Sequence, residues 1–419
     1  MGAARGFLKL SLAVLMSVFS FSPDAGHPTA QQSSAQERLQ ALQSIPYISA
    51  PVDLSQQVGL LGMRESEVTP GLNLFANRYH TTAALMDNKG KIVHRWTMKD
   101  RSAWFAEEVT PDGDLLVEHG WDGDRHVDFP EERGFPSRLT KLSRDSKVLW
   151  SVTLPVHHDL QILPDGNLLV LLDRVRKTSG AHPVTIKDNT IAYLSPDGHV
   201  LREISLYDLV RRARFKLPFL KSDSSTEPWD LFHANTVRQL SDARSAEILR
   251  TIGATPATKR IYRSGNVLVC SRHQSFVAIV DPTRSEIVWM WGRGELEGPH
   301  SARLLASGNV MIFDNGLDRG WSRVVEVNPG TGKIVWNWSA RKPTDFYVQT
   351  GGACQRLPTG NTLITDSWHA TAIEVTPDKR IVWKWKNPDT TFMYRLRRYR
   401  EDYFVPTMRQ RLMASLTRK

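Results

Sequence analysis

One sentence pattern is written repeatedly along this chain, and it leaves few folds open. An apolar run, a Gly-centred turn and a second apolar run recur as "TPDGDLLV", "LPDGNLLVL", "YRSGNVLVC", "LASGNVMIF" and "LPTGNTLIT", centred on Gly113, Gly166, Gly265, Gly308 and Gly360. Gly-Asn, Gly-Asp or Asp-Gly at each centre supplies the positive φ angles of a two-residue hairpin, so each phrase reads as strand, turn, strand. A second phrase recurs as "GKIVHRW", "SKVLW", "GHVLREI", "SEIVWMW", "GKIVWNW" and "KRIVWKW". Its β-branched residues alternate with Trp, and pairs such as Trp336/Trp338 and Trp383/Trp385 place two rings on one face of a strand. Between the two phrases lies a run such as "FVAIVDP", "RVVEVNP" or "TAIEVTP" that ends in a turn. One unit is therefore four short antiparallel strands in about 45 residues, a period at which each sheet must stack on its neighbours. The fold class is all-β, a six-bladed β-propeller of four-stranded antiparallel blades, with "GLNLFANRY" as a middle strand of the first unit. Helical patterns are confined to residues 35–44, 207–215 and the tail, and the tight period without linkers argues against an array of β-sandwiches.

The spacing divides the chain into residues 1–30, a signal peptide or N-terminal anchor; 31–69, a linker with a short helix; 70–390, the propeller; and 391–419, a basic tail. Arg5 and Lys9 flank the apolar run "FLKLSLAVLMSVFSF", which has the order of a secretory signal and is short for a membrane span. The expectation is an exported protein, periplasmic or extracellular, held to a membrane where that segment stays uncleaved. The formal charge of +10 resembles a nucleic-acid footprint, yet Arg395, Arg397, Arg398, Arg400, Arg409, Arg411, Arg418 and Lys419 face only Glu401 and Asp402 in the tail. The body is mildly basic and no nucleic-acid partner is expected; the tail reads as a solvated or surface-clasping segment, with an anionic partner or membrane surface as the sharper alternative. Cys270 and Cys354 make no disulfide framework and read as buried small apolar residues, with one disulfide between them still open.

Eight positions before the turn glycine stand Phe105, His158, His300 and Gly352 in four units. Aligning the apolar run of "DLFHANTVRQL" across an insertion of about two dozen residues places His233 in the same register. The first strand of each blade lines the central channel, so His158, His233 and His300 are expected to face one another at its mouth. His157 has the opposite parity and is expected to be exposed or to pack between blades. Polar residues interrupt "VLVCSRHQSFVAIV" at a turn, which makes Arg272 a site candidate, and Asn235 follows His233 by two residues on the same face. His369 in "DSWHATAIEV" occupies the same kind of turn; Trp229, Phe232 and Trp368 are the candidates for packing against an aryl ring. His80, His94, His119, His126, His182, His199 and His273 share no register, and the Trp stripes read as inter-blade core. Neutral imidazoles with a guanidinium and few carboxylates suit an oxyanion, for which Arg offers a planar fork. One ring can attack while another protonates a leaving phenolate. A metal held by three His is the competing arrangement.

"VHHDLQILPDGN", "FHANTV", "SRHQS" and "GPHSARLL", in that order, resemble the bacterial arylsulfate sulfotransferase family over residues 70–390. The resemblance implies a six-bladed periplasmic propeller that moves a sulfuryl group from an aryl sulfate to a phenol without a nucleotide sulfate donor, through a sulfohistidine. It implies His300 as the residue sulfated, His158 as the first channel histidine, His233, Asn235 and Arg272 as the residues that hold the sulfuryl group and assist the leaving oxygen, and no cofactor or metal. Its partners would be an aryl sulfate donor and a phenolic acceptor. The match is to a short form, since the N-terminal β-domain used for dimer contacts in well-known members has no counterpart here, and the oligomeric state is left open. "NPGTGKIVWNW" echoes the docking phrase of quinoprotein propellers, but six units fall short of their eight, so no quinone is expected. A non-catalytic exported scaffold is the alternative function, distinguished by its having no need of histidines in register.

Overall fold

The computed structural model describes residues 57–77, 81–99, 103–120, 137–178, 183–213, 228–389 and 392–417. The expected signal segment, most of the expected linker with its helix at 35–44, His80, His126, His182 and the side chain of Phe105 lie outside the described residues. Six small antiparallel sheets form the six blades of a β-propeller. Blades 2 to 6 open with the innermost strands Ala103–Val109, Val156–Ile162, Ala234–Gln239, His300–Leu304 and Ala353–Arg356, each continuing outward through three further strands. No helix among the described residues is long and apolar enough to cross a membrane.

Strand alternation sends successive side chains to opposite neighbours, and that is what welds the ring. In blade 3, Leu169 and Leu171 enter the cluster shared with blade 4, whereas Leu168, Val170 and Leu172 enter the one shared with blade 2. Blade 4 repeats this with Val267 and Val269 against blade 3 and Leu268 and Cys270 against blade 5. Cys270 and Cys354 are both buried and free, so neither forms a disulfide. Burial holds the Cys354 thiol up at about 12.

The recurrent Trp adds a directional contact to four of the six seams. Trp96 Nε1 donates to Gly113 O at 3.0 Å, Trp289 to Pro329 O at 3.1 Å, Trp336 to Pro377 O at 2.9 Å and Trp383 to Asn88 O at 2.7 Å. In every case the acceptor is a turn of the next blade. Trp383→Phe keeps an aromatic ring in the seam and loses the bond, and is expected to cost about 1 kcal/mol, read as a lower urea midpoint at unchanged slope.

The ring closes with segments from both termini, where the expected boundaries need correction. Leu396–Tyr399 is the innermost strand of blade 1, pairing Leu72 with Tyr399 and Phe75 with Leu396. Gly59–Met63 adds a fifth strand to the outer edge of blade 6 through Leu60–Trp385 and Met63–Trp383. "LRRY" reads as a solvated tail by charge count, but its arginines have carboxylate partners far away in sequence. Arg398 is ion-paired with Glu374 and donates Nε to Asn73 Oδ1 at 2.8 Å, with both ionic side chains buried. Arg395 Nη1 reaches Asp159 Oδ1 at 2.5 Å, and Arg397 pairs with Glu108. The helix Pro406–Thr417 then docks Met408 and Leu412 onto the seam of blades 1 and 2. The insertion in blade 4 also folds into helices not expected from its pattern, Asp242–Ile252 capped by Ser241 and Pro256–Ile261 opened by a Thr255/Thr258 capping box.

Candidate active site

The inner strands of blades 2 to 5 each carry a bulge near their start. A bulge re-aims side chains, and here it turns polar groups toward the axis. His158 sits within one at φ 60° and His233 precedes another at φ 46°, left-handed backbone that a non-glycine residue adopts only when its surroundings hold it there. In blade 6 the equivalent position is Gly352, where an added Cβ would lie 2.4 Å from the Phe313 ring, so no side chain fits.

The register of blade 4 differs from the expectation. Gln239 pairs with Val267 as Ile162 pairs with Leu168 and Leu304 with Val310. Counting back four residues from each gives Asn235, His158 and His300. Asn235 is therefore the residue in register, and His233 stands two positions nearer the mouth. The insertion hid this offset, since it broke the count to the turn glycine. The His233 ring meets the cluster all the same, through its Nε2 contact with His158.

A hydrogen-bonded chain joins these groups. His233 accepts or donates at Nε2 to His158 Nε2 at 2.9 Å, and its Nδ1 lies 2.6 Å from Asp230 Oδ2. A carboxylate accepts only, so His233 carries its proton at Nδ1 and receives one from His158. His157 packs edge-on against His158 with ring centres 3.9 Å apart, and Tyr394 stacks on the other side at 5.6 Å. His273 Nδ1 donates to Asp230 O at 2.6 Å, which leaves Nε2 to accept from Arg272 Nη1 at 2.7 Å.

His300 is set by a separate device. Its Nδ1 lies 2.7 Å from Asn315 Oδ1 and 3.2 Å from Gly298 O. The Asn315 amide is oriented by donating Nδ2 to Val348 O at 2.7 Å and to Gly351 O at 2.9 Å, so its oxygen must face the imidazole. With two acceptors at Nδ1, the His300 proton resides there and Nε2 keeps its lone pair. Burial, and then the charge of Arg272, hold His300 well below the ordinary histidine range; His300 is neutral at pH 7. Burial likewise pulls His157 and His233 down to about 4 and His158 well below its usual value, where neighbouring His157, His233 and His300 add repulsion. Asp173, 3.8 Å from His157, is pushed up to about 7 by burial and Asp230.

A channel mouth of neutral imidazoles with one buried guanidinium is suited to an anionic group, and comparison with known families gives that chemistry a context. Residues 132–388 match the Arylsulfotransferase (ASST) family. The chain belongs to that family. Its reaction class is sulfuryl transfer between aryl groups. No match was found among curated proteins. Among solved structures, a protein of unknown function from Bacteroides caccae shares the fold at 15% identity and a TM-score of 0.50, covering 79% of this chain and 100% of that one. Virginiamycin B lyase from Staphylococcus aureus, in a catalytically inactive form with quinupristin, aligns at 10% identity and a TM-score of 0.42 over 80% of this chain and 90% of that one.

Within this arylsulfotransferase fold the expected residues are distributed unevenly. His158, His233, Arg272 and His300 converge, each through a contact or a charge felt by another. Asn235 donates Nδ2 to Pro299 O at 2.9 Å, which steadies the segment that delivers His300. His369 is ion-paired with Asp366 at 2.7 Å and half exposed, with none of the clustered imidazoles among its recorded partners. Phe232 is fully buried in the core between blades 3 and 4, so its ring is not presented to a substrate, and Trp368, partly exposed, packs against the core of blades 5 and 6. Trp229 is exposed beside Asp230. Sequence reading missed His157, Asp230, His273, Asn315 and Tyr394. Asp230 had a signal: Asp–x–x–His occurs both at Asp230/His233 and at Asp366/His369, and in both the Asp also accepts the His backbone N–H.

Nitrogen atoms of His157, His158 and His233 lie within 4.8 Å of one another, as do donor atoms of Asp230, His233 and His273. The three-His arrangement weighed from the sequence therefore takes a different form, with His157 in place of His300. A metal there would have to displace the proton between His158 and His233.

Proposed function

We propose that this protein transfers a sulfuryl group from an aryl sulfate ester to a phenolic acceptor through a sulfohistidine on His300, with no nucleotide sulfate donor. The observation that carries the reading is the tautomer imposed by Asn315, which leaves Nε2 of a buried, neutral imidazole bare next to the charge of Arg272. Nε2 attacks sulfur, the S–O bond to the aryl group breaks, and the phenolate leaves with the electron pair and takes the proton that the His158–His233 pair gains when the anion binds. Arg272 stabilises charge on the sulfuryl oxygens as the bond order changes. The acceptor phenol then attacks the same sulfur, returns its proton to the imidazole pair, and the N–S bond breaks to restore the lone pair on Nε2. The same proposal puts this activity outside the cytoplasm, supported by the secretory order of charges and apolar residues at the N-terminus. The test is release of 4-nitrophenolate from 4-nitrophenyl sulfate that depends on added phenol; a preparation inert to a panel of phenols would remove the reading.

Asp230 acts as a positioning residue. Asp230→Asn is expected to lower kcat about 10²-fold by releasing the His233 tautomer, with a shifted acid limb of the pH profile that a loss of folding alone would not produce.

Substrate binding is also expected to be coupled to proton uptake. The imidazole pKa values are low because burial and mutual repulsion disfavour the charged forms, and a bound anion reverses the repulsive part. The ligand thus favours protonated histidine, and by linkage affinity for an aryl sulfonate should rise as pH falls from the ordinary histidine range toward about 4. Calorimetry in two buffers of different ionisation enthalpy reads the uptake directly; heats independent of buffer would contradict it.

A further inference from the structure

Three residues along each inner strand from the histidine register lies a second ring of polar side chains. Glu108, Gln161, Arg238, Arg303 and Gln355 occupy the equivalent position in blades 2 to 6, and Arg397 of blade 1 joins them. At about 3.3 Å per residue this ring lies roughly 10 Å deeper along the channel than the histidine register. All of these but Gln161 line a cavity of about 760 Å³, and a smaller one of about 220 Å³ is lined by Gln161 together with Arg238 and Arg303.

The charges in this ring do not cancel. Arg238, Arg395 and Arg397 share two carboxylates, Asp159 and Glu108: Arg238 lies 2.7 Å from Asp159 and 3.4 Å from Glu108, Arg395 2.5 Å from Asp159, and Arg397 touches both. Arg356, also on the wall, is taken by Glu326 at 2.5 Å. Arg303 has no carboxylate within ion-pair distance among the described residues; its hydrogen bond is to Ala302 O at 2.8 Å. Two further donors on these walls, Arg238 Nε and Arg398 Nη2, are buried with no acceptor among the described residues. Burial and the neighbouring Arg238 pull Arg303 down to about 9, so it still carries its charge at neutral pH. Nearby Glu107 offers no compensation, since burial raises it to about 8 and leaves it protonated. A buried cation without a counter-charge is costly, and a guanidinium fork matches two oxygens of a tetrahedral oxyanion.

We propose that this cavity is a second anion site, separate from the histidine cluster, that takes a tetrahedral oxyanion of the sulfate type between Arg303 and Arg238. Free inorganic sulfate and the sulfonate or sulfate head of an aryl compound share that chemistry. The site does not rest on the transfer reaction.

Titration calorimetry on the full chain, with chloride-matched ionic strength, tests it using sodium sulfate and 4-nitrobenzenesulfonate as the two probes. Wild type is expected to show two classes of site. Arg303→Met should weaken one of them about 10- to 100-fold and leave phenol-dependent turnover intact, while Arg272→Met should weaken the other. Binding of sulfate to the Arg272→Met protein assigns the deeper site to the free ion, and binding of the sulfonate alone assigns it to an aryl head group. Isotherms of Arg303→Met identical to wild type for both sulfate and the sulfonate overturn the proposal, whatever Arg272→Met does. Loss of turnover in every protein with the Arg303-dependent site retained would overturn only the transfer reading. Without sulfate, Arg303→Met is expected to melt at or above the wild-type temperature, because an uncompensated charge has been removed; should it fail to fold, Arg303→Gln carries the same comparison.

Discussion

His300→Ala is expected to abolish both phenol-dependent turnover and the gain of one sulfuryl group seen by intact-mass analysis after brief exposure to an aryl sulfate. The loss should be on the order of 10⁴-fold or more in kcat, because the covalent step is carried by the Nε2 that Asn315 leaves bare beside the charge of Arg272. Other imidazoles are not substitutes. His233 has its Nδ1 committed to Asp230 and its Nε2 to His158, whereas His300 has Nδ1 alone engaged, by Asn315 and Gly298. A variant that still gains the mass would move the nucleophile to His158 or His157. Asn315→Leu provides the companion test: the protein should fold and bind substrate, yet sulfate slowly, since either tautomer of His300 then becomes accessible.

The second large effect is on stability, at the closure of the ring. Arg398→Met is expected to cost about 3–5 kcal/mol, because it leaves the buried Glu374 carboxylate without its cation. Glu374 would keep Thr69 N and Oγ1, each at 2.8 Å, and Asn361 Nδ2 at 2.7 Å, which hold the carboxylate in place and do not neutralise it. The double variant Arg398→Met/Glu374→Gln should recover most of the loss, since removing both charges also removes the desolvation penalty. Additive losses in the double variant, measured by denaturant unfolding, would show that the contact is a local packing effect and not a buried ion pair. The bond matters beyond its own energy because it ties blade 1's C-terminal strand to blade 6 and to the segment around Thr69.

The site was legible where it obeyed the repeat and obscure where it departed from it. His158 and His300 could be found by counting from turn glycines, because hairpin length is conserved between their blades. His233 was found in spite of a false register, since the bulge that follows it, between Ala234 and Thr236, lets its ring reach His158. The same counting, extended three residues further along each strand, would have shown the ring of Glu108, Gln161, Arg238, Arg303 and Gln355. Phe232 was misjudged because adjacency in sequence to His233 says nothing about direction, and alternation sends its ring into the core. Asn315 and Tyr394 lie on turns and connections that carry no period.

Periodicity in the chain was sufficient for the architecture, since apolar alternation and turn chemistry are local and every blade states them again. Which strand completes blade 1, which carboxylate neutralises which arginine, and which nitrogen of His300 stays bare were settled by closure of the ring. Those facts join residues separated by much of the chain, such as Asn73 with Arg398 and Asp159 with Arg395. Ionic pairing and tautomer choice depend on burial and on the nearest partner in space, and a linear order of residues encodes neither.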